Sequence, residues 1–330
     1  MAMQTVRLAL EAMATRFEVV LYGEHPTRLR AAGEEALREI RQLEADLSFY
    51  RAASDLRRLN ASAAHGPVRV SPRLFDLLQD ATRIWKSTGG AFDVTVAPLM
   101  RCWGFVGGTG HWPAQEAIER ARSVTGMHLV ALDAEARTVR FRRNGVQLDL
   151  GAIGKGYALE EASHILRACG VERALLHGGT STIVAIGAPP GEESWKIAIA
   201  HPSDSTTPLA VVPLRDEALS VSAVSGKGFV RDGKTYGHVL DPRTGHPVRG
   251  AILAAVAHRS ATICDALSTA FLVLECESGE LNMASGDSMR TLAACRCEDG
   301  TLEIHRSGID LYFPEVTSST LLTPHHHEAR

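Results

Sequence analysis

The chain has 330 residues, room for one large domain or two ordinary ones, and its 45% apolar, 22% charged composition is that of a soluble globular protein. A formal net charge of −3 gives no reason to expect nucleic acid or an acidic membrane as a partner. No apolar stretch reaches the ~18 residues needed to span a bilayer.

In chain order, residues 16–22 alternate like a strand and follow a short turn at Met13-Ala14-Thr15. A helix is expected from about Thr27, with Ala36, Ile40, Leu43 and Leu47 on one face. Ser71 and Pro72 form an N-cap and first-turn pair, opening a helix that buries Leu74, Leu78, Ala81 and Trp85 before Gly89-Gly90 stop it. A further helix over 113–124 precedes strands near Leu129 and Val139. Residues 155–168 read as helical, with Gly170 as the stop. Strands are expected near Leu175, Ile183, Ile197, Val211, Val239 and Ala255, then a helix over 262–274. Strands in adjacent pairs with short turns favour α+β with antiparallel pairing over a doubly wound parallel sheet. No repeat or linker divides the chain, so one compact catalytic unit over 1–313 is expected, with a disordered tail over 314–330 that holds His325, His326 and His327.

The first twenty residues are interrupted by Arg7, Glu11 and Arg16, so no signal-peptide core is expected there. No cysteine precedes Cys102, which removes an N-terminal lipid-bearing cysteine. Six cysteines without an export signal read as reduced thiols of a cytoplasmic protein, and the Cys295-x-Cys297 pair alone is weak evidence for a metal.

Four blocks carry candidate chemistry. YGHVLDPRTG, residues 236–245, places the imidazole of His238 three residues ahead of an Asp241-Pro242 turn closed by Gly245. By itself the run is equally a tight surface turn. TGGAFDVTVAPLMRCWGF, residues 88–105, sets a flat apolar face, Phe92, beside an acceptor, Asp93, as a heterocycle with ring N–H groups would need; the plain alternative is a core Phe with a capping Asp.

QLDLGAIGKGYALEEA, residues 147–162, reads as an apolar strand ending at Asp149-Leu150, then glycines at 151, 154 and 156 around Lys155 at a helix start. Such turns offer backbone N–H groups to phosphate, though the spacing is neither of the standard nucleotide motifs. Gly178-Gly179 suits another close approach. In SATICDALSTAFLVLE, residues 260–275, Asp265 and Thr269 share a helix face and can offer oxygens to a hard cation. A Thr262–Asp265 capping box is the competing reading.

Taken together, the blocks resemble the ApbE family, the FAD:protein FMN transferases, over residues 10–307. The resemblance rests on Met13-Ala14-Thr15, YRAASDLRRLN at 50–60, GAFDVTVAPL with WGF, DLGAIGKGYA, HVLDPRTGHPV and DALSTAF, all in family order. It implies a T-fold-like α+β catalytic domain with mostly antiparallel sheets and flanking helices. It further implies Mg²⁺-dependent transfer of the FMN part of FAD to a threonine hydroxyl of a target flavoprotein, with AMP leaving. FAD hydrolysis to FMN and AMP, or FAD binding without catalysis, are the alternatives.

By position, the resemblance makes Met13, Tyr50, Ala91, Phe92, Asp93, Asp149, Lys155 and Val239 flavin contacts. It makes the Ala152 carbonyl, Asp265 and Thr269 metal ligands, and His238 the general base. Ser268 stands where many members carry a second acidic ligand, and SVSAVSGKGF at 220–229 replaces the usual T-S-G-x-Y run. An imidazole with an ordinary pKa near 6.5 is suited to take a proton from an attacking alcohol.

Overall fold

The structure, a computed structural model, describes residues 2–204, 206–224, 226–274, 289–297 and 299–312. The expected tail at 314–330 lies outside them. The chain opens with a hairpin, β1 (Gln4–Ala12) and β2 (Thr15–Gly23), joined by Met13 and Ala14, both at positive φ. Helices α1 (Pro26–Leu47) and α2 (Asp55–Ser62), strand β3 (Val68–Arg69) and helices α3 (Pro72–Ser87), α4 (Ala97–Cys102) and α5 (Gln115–Arg122) follow. Then come β4 (Val130–Asp133), β5 (Thr138–Phe141), α6 (Gly154–Ala168), β6 (Ala174–Gly178), β7 (Thr182–Ile186), β8 (Trp195–Ala200) and β9 (Pro208–Leu214). The remainder is β10 (Ala218–Ala223), β11 (Gly228–Arg231), β12 (Lys234–Gly237), β13 (Ala251–His258), α7 (Ala261–Val273), β14 (Arg290–Arg296) and β15 (Leu302–Ser307).

Eight strands form one sheet in the order β1-β2-β6-β7-β10-β13-β14-β15, every pairing antiparallel. Period-two alternation gives this sheet two buried faces. Phe17, Val19, Leu21, Leu176, Val184, Ile186 and Val256 face a helical layer built on α1, α3, α6 and α7. Leu175, Ile183, Ala185, Leu219, Ala255 and Leu292 face the other way, onto the ribbon of β8 and β9 with Trp195, Ile197 and Val212. The fold is therefore α+β, as the paired strands require.

The helices start where their caps dictate. The Ser71 hydroxyl accepts from Leu74 N and Pro72 occupies the first turn, so α3 opens as expected. Its inward stripe ends on Ile84, leaving Trp85 half-buried. The competing reading, a Thr262–Asp265 capping box, is not what the structure shows. Ser260 caps α7 through Ile263 N, and Glu160 of α6 takes both the Ser260 hydroxyl and Thr262 N.

Three further departures have local causes. β1 exists despite its two charges, because Arg7 and Glu11 fall on exposed positions while Val6, Leu10 and Ala12 are buried. No strand forms at Val239, where the Asp241-Pro242 turn leaves one bridge between Leu240 and Pro247; the hairpin β11–β12 stands just before it. Residues 147–150 are extended without being a strand. Asn60 takes the place of a neighbouring strand, donating to Leu148 O at 2.9 Å and accepting from Leu148 N at 2.8 Å, while Asp149 N donates to Val94 O. The reduced-thiol expectation holds for Cys102, Cys169, Cys264 and Cys297 but not for Cys295, which is disulfide-bonded and so cannot serve a Cys-x-Cys metal pair.

Asn60 is a single side chain satisfying two backbone groups of the segment that leads to Asp149. We expect Asn60→Ala to cost about 1–3 kcal/mol, the penalty for stranding partly buried backbone polar groups. Urea unfolding checks this, and an unchanged midpoint would show that water replaces the clamp.

Candidate active site at the α6–α7 crossing

The site is organised by one contact between helix starts. Gly156 N lies 2.9 Å from Asp265 Oδ2. Gly156 is the third residue of α6, after the N-cap Ile153, so its N–H is one of the helix-start donors with no carbonyl of its own helix to meet, and Asp265 satisfies it. The crossing admits no side chain at 156, since a Cβ there would stand 2.2 Å from Ala261 O and 2.6 Å from Asp265 Cβ. The glycine that reads in sequence as a phosphate-turn residue is required by helix packing.

Asp265 is 3% exposed, and its other oxygen is surrounded. Thr182 Oγ1 and Ser220 Oγ approach Oδ1 at 3.3 and 3.4 Å, and Lys155 Nζ lies 3.9 Å away. The hydroxyls continue outward. Ser268 Oγ reaches Ser220 Oγ at 3.3 Å and Ser222 Oγ at 2.8 Å, and Ser222 Oγ lies 3.3 Å from Thr269 Oγ1. Thr182 carries no motif and Ser220 and Ser222 open the SVSAVSGKGF run; all three sit on β7 and β10, far from α7 in sequence. Ser268 is fully buried, its hydroxyl set among those of Ser220 and Ser222.

Burial holds the His238 imidazole below its ordinary pKa, with the charges of Lys227 and Lys155 adding to that and a hydrogen bond to the Lys227 carbonyl opposing it. Nδ1 lies 3.3 Å from Lys227 O. A carbonyl can only accept, so Nδ1 carries the proton and Nε2 keeps its lone pair. The following turn is built as its residues demand. Gly245 N donates to Asp241 O, Asp241 Oδ1 accepts from Arg243 N, and Trp103 Nε1 donates to Gly245 O at 2.8 Å. Arg243 grips Asp241 through two nitrogens and reaches the Val273 carbonyl at the end of α7. Its stem also packs 3.7 Å from the position a Cβ at Gly90 would take.

The remaining candidates form an arc. Met13 N donates to Glu44 Oε1, and Glu44 Oε2 accepts from Arg51, the neighbour of Tyr50. Tyr50 is 68% exposed and meets the Phe49 ring edge-on. Phe49 and Gln147 line one cavity of about 180 Å³ with Arg57, Asn60 and Arg101. Two residues on, Asp149 accepts from Gly151 N, and burial pushes its carboxyl pKa up. Lys155 and Asp265 complete the arc.

The side chains of the GAFD segment are engaged in the fold. Phe92 is 1% exposed and Ala91 equally buried, so the ring belongs to the core. Asp93 accepts from Thr95 N, Thr95 Oγ1 and Met127 N, and burial raises its pKa. The core Phe and capping Asp reading describes these side chains. Gly178 and Gly179 also serve packing, pressed against Phe17 and Thr15. Val239 is half-buried beside the core. A larger cleft, about 740 Å³ and lined by Arg167, Arg173 and Asp216, lies at the far end of α6. That is about 18 Å from Lys155 by helical rise.

Among the described residues no three His, Cys, Asp or Glu side chains cluster to hold a metal. What the crossing does offer is oxygen of several kinds: one carboxylate, the Ala152 carbonyl and the hydroxyl of Thr269. That donor set suits a hard cation that keeps waters and takes phosphate oxygens.

The fold is antiparallel α+β, and its α6–α7 crossing sets Lys155 beside the buried carboxylate of Asp265. The chain matches the ApbE family over residues 13–293 and belongs to it. It is 32% identical over 279 residues to the FAD:protein FMN transferase of Treponema pallidum, covering 79% of this chain and 76% of that protein. With the enzyme of the same name from Vibrio cholerae it is 28% identical over 274 residues, covering 81% and 80%. The crystal structure of the ApbE protein from Thermotoga maritima superposes with a TM-score of 0.81 at 30% identity, covering 92% and 97%. The flavinyl transferase ApbE of Pseudomonas stutzeri, apo form, gives 0.80 at 29%, covering 93% and 95%.

Asp265 should separate packing from charge. We expect Asp265→Ala to cost about 1–3 kcal/mol by stranding Gly156 N–H, and Asp265→Asn to cost less because an amide oxygen can still accept. Equal losses in urea unfolding would show that the negative charge, not the acceptor, holds the crossing.

Proposed function

We propose that this chain is an FAD:protein FMN transferase that places the FMN part of FAD on a threonine hydroxyl of an acceptor flavoprotein, with Mg²⁺ at the α6–α7 crossing. The observation that carries the reading is the Gly156–Asp265 contact, which brings the glycine turn, Lys155 and the α7 oxygens to one place in a chain of this family.

In this reading the acceptor oxygen attacks the phosphorus on the FMN side of the diphosphate. A P–O bond forms, the bridging P–O bond breaks, and AMP departs with the bridging oxygen. The hydroxyl proton passes to Nε2 of His238, neutral at pH 7 because burial holds its pKa down. Lys155 supplies positive charge against the diphosphate. Asp265, Thr269 and the Ala152 carbonyl would hold Mg²⁺, which when bound neutralises developing charge on the phosphate oxygens. Met13, Tyr50, Asp149 and Val239 would line the flavin nucleotide along the arc. The 91–93 segment would meet it through backbone, since its side chains are engaged in the core.

Compartment is a separate matter. Four free cysteines agree with the cytoplasm, whereas a disulfide at Cys295 argues for oxidising surroundings. Among the described residues no helix is long and apolar enough to cross a membrane.

Incubation with FAD, Mg²⁺ and a candidate flavoprotein should add the mass of FMN to a threonine of the acceptor and release AMP. AMP and free FMN without acceptor modification would instead identify an FAD pyrophosphatase, and FAD binding without either product a carrier. We expect His238→Ala to abolish transfer while FAD still binds, since general-base catalysis contributes roughly 10²–10⁴-fold; retained turnover would remove His238 from the chemistry.

The acid limb of kcat/KM should fall below pH 6.5, because the folded pKa is depressed and activity needs the unprotonated ring. Lys227→Gln keeps the backbone carbonyl but removes a charge that opposes imidazolium. Its limb should move to higher pH, and a limb that stays in place would exclude that coupling.

A further inference from the structure

The ribbon β11–β12 ends one residue before His238 and pairs with no other strand among the described residues. Its register sets Gly228 opposite Gly237, Phe229 opposite Tyr236, Val230 opposite Thr235 and Arg231 opposite Lys234, across an Asp232-Gly233 turn with both residues at positive φ. His238 N donates to Lys227 O at 3.1 Å. That bond fixes the phase of the ladder, because inward-bonding and outward-facing pairs alternate in an antiparallel ribbon. The 227/238, 229/236 and 231/234 pairs bond inward. The N–H and C=O groups of Gly228 and Val230 on one edge, and of Thr235 and Gly237 on the other, therefore point away from the ribbon.

The two faces differ as well. Phe229 stacks on Trp103 with ring centroids 6.3 Å apart, Tyr236 meets Trp112 at 5.0 Å, and the Arg231 guanidinium lies 4.4 Å over Trp112. This aromatic footing fixes the ribbon in place. The outer face carries Val230, 70% exposed, and the exposed Thr235, while Gly237 is half-buried with the Val224 carbonyl 3.0 Å from where a Cβ would stand. Lys227 and Lys234 are exposed and, among the described residues, pair with no carboxylate; Asp232 lies 3.4 Å from Arg231.

A ribbon whose edges pair with no other strand among the described residues, with a surplus of positive charge and direct continuity with the candidate base, is suited to pair with an extended, acidic polypeptide. We propose that the β12 edge is the dock for the acceptor: an acidic segment adds as a third strand along Thr235 and Gly237, and its register carries the hydroxyl-bearing residue up to His238. This deepens the transferase reading and rests on it. The β12 edge is assigned because that strand, unlike β11, runs straight into His238.

The test uses the full chain loaded with FAD and a blocked, dye-labelled hexapeptide alternating aspartate with threonine, beside a twin N-methylated at alternate backbone nitrogens. Fluorescence anisotropy reads binding and peptide mass reads FMN gain. Thr235→Pro removes only an outward N–H. It should weaken peptide binding at least tenfold, while Val230→Pro, the same change on the other edge, stays within twofold. The methylated twin should bind at least tenfold more weakly, and FAD affinity should stay within twofold in both variants. Equal binding of the twins, equal losses in the two proline variants, or no binding of the unmethylated peptide overturns the dock. Binding with this pattern but without FMN gain upholds the dock and removes the transferase reading, so the two failures are told apart.

Discussion

One hydrogen bond governs the architecture of the site. By taking the N–H of Gly156, the Asp265 carboxylate ties the first turn of α6 to the first turn of α7 and satisfies a helix-start donor that has no carbonyl of its own. The same bond demands a residue without Cβ at 156, lets the helices cross closely, and holds a buried negative charge against Lys155. The neighbouring hydroxyls of Thr182 and Ser220 then keep the second carboxylate oxygen from being stranded. Packing, charge and ligand geometry here share one cause.

Much of this was legible in the chain. The helical faces of α1 and α3, the Ser71-Pro72 start and the Asp241–Gly245 turn follow from local rules, and the structure repeats them. Asp265 with Thr269 could be placed on one helix face from spacing alone. Whether Asp265 capped its helix or faced a site could not be decided locally, since the capping pattern and the ligand pattern use the same residue types. The decision depends on Glu160, a hundred positions from Ser260, supplying the caps instead.

The hydroxyl network was illegible for a similar reason. Thr182 and Ser220 meet only because β7 and β10 pair in a register that sets them opposite each other, which no short window encodes. Phe92 and Asp93 show the same ambiguity: residues of the right type for a heterocycle are equally right for a core and a turn, and both are buried in the fold. Asp232-Gly233 was readable, because two adjacent residues tolerant of positive φ between Phe229 and Tyr236 mark a two-residue hairpin. The strand expected near Val239 lay a few positions too late.

The Met13–Ala14 turn has a further meaning. Both residues adopt left-handed backbone angles without being glycine, and Glu44 holds the Met13 amide. L-residues resist that conformation, so the bend is imposed by the flanking strands and by Glu44 rather than chosen by the turn itself. The disorder such a turn would otherwise surrender on meeting any partner is already given up when the chain folds. Whatever meets this turn finds a finished shape, so recognition by it would be a question of fit more than of adaptation.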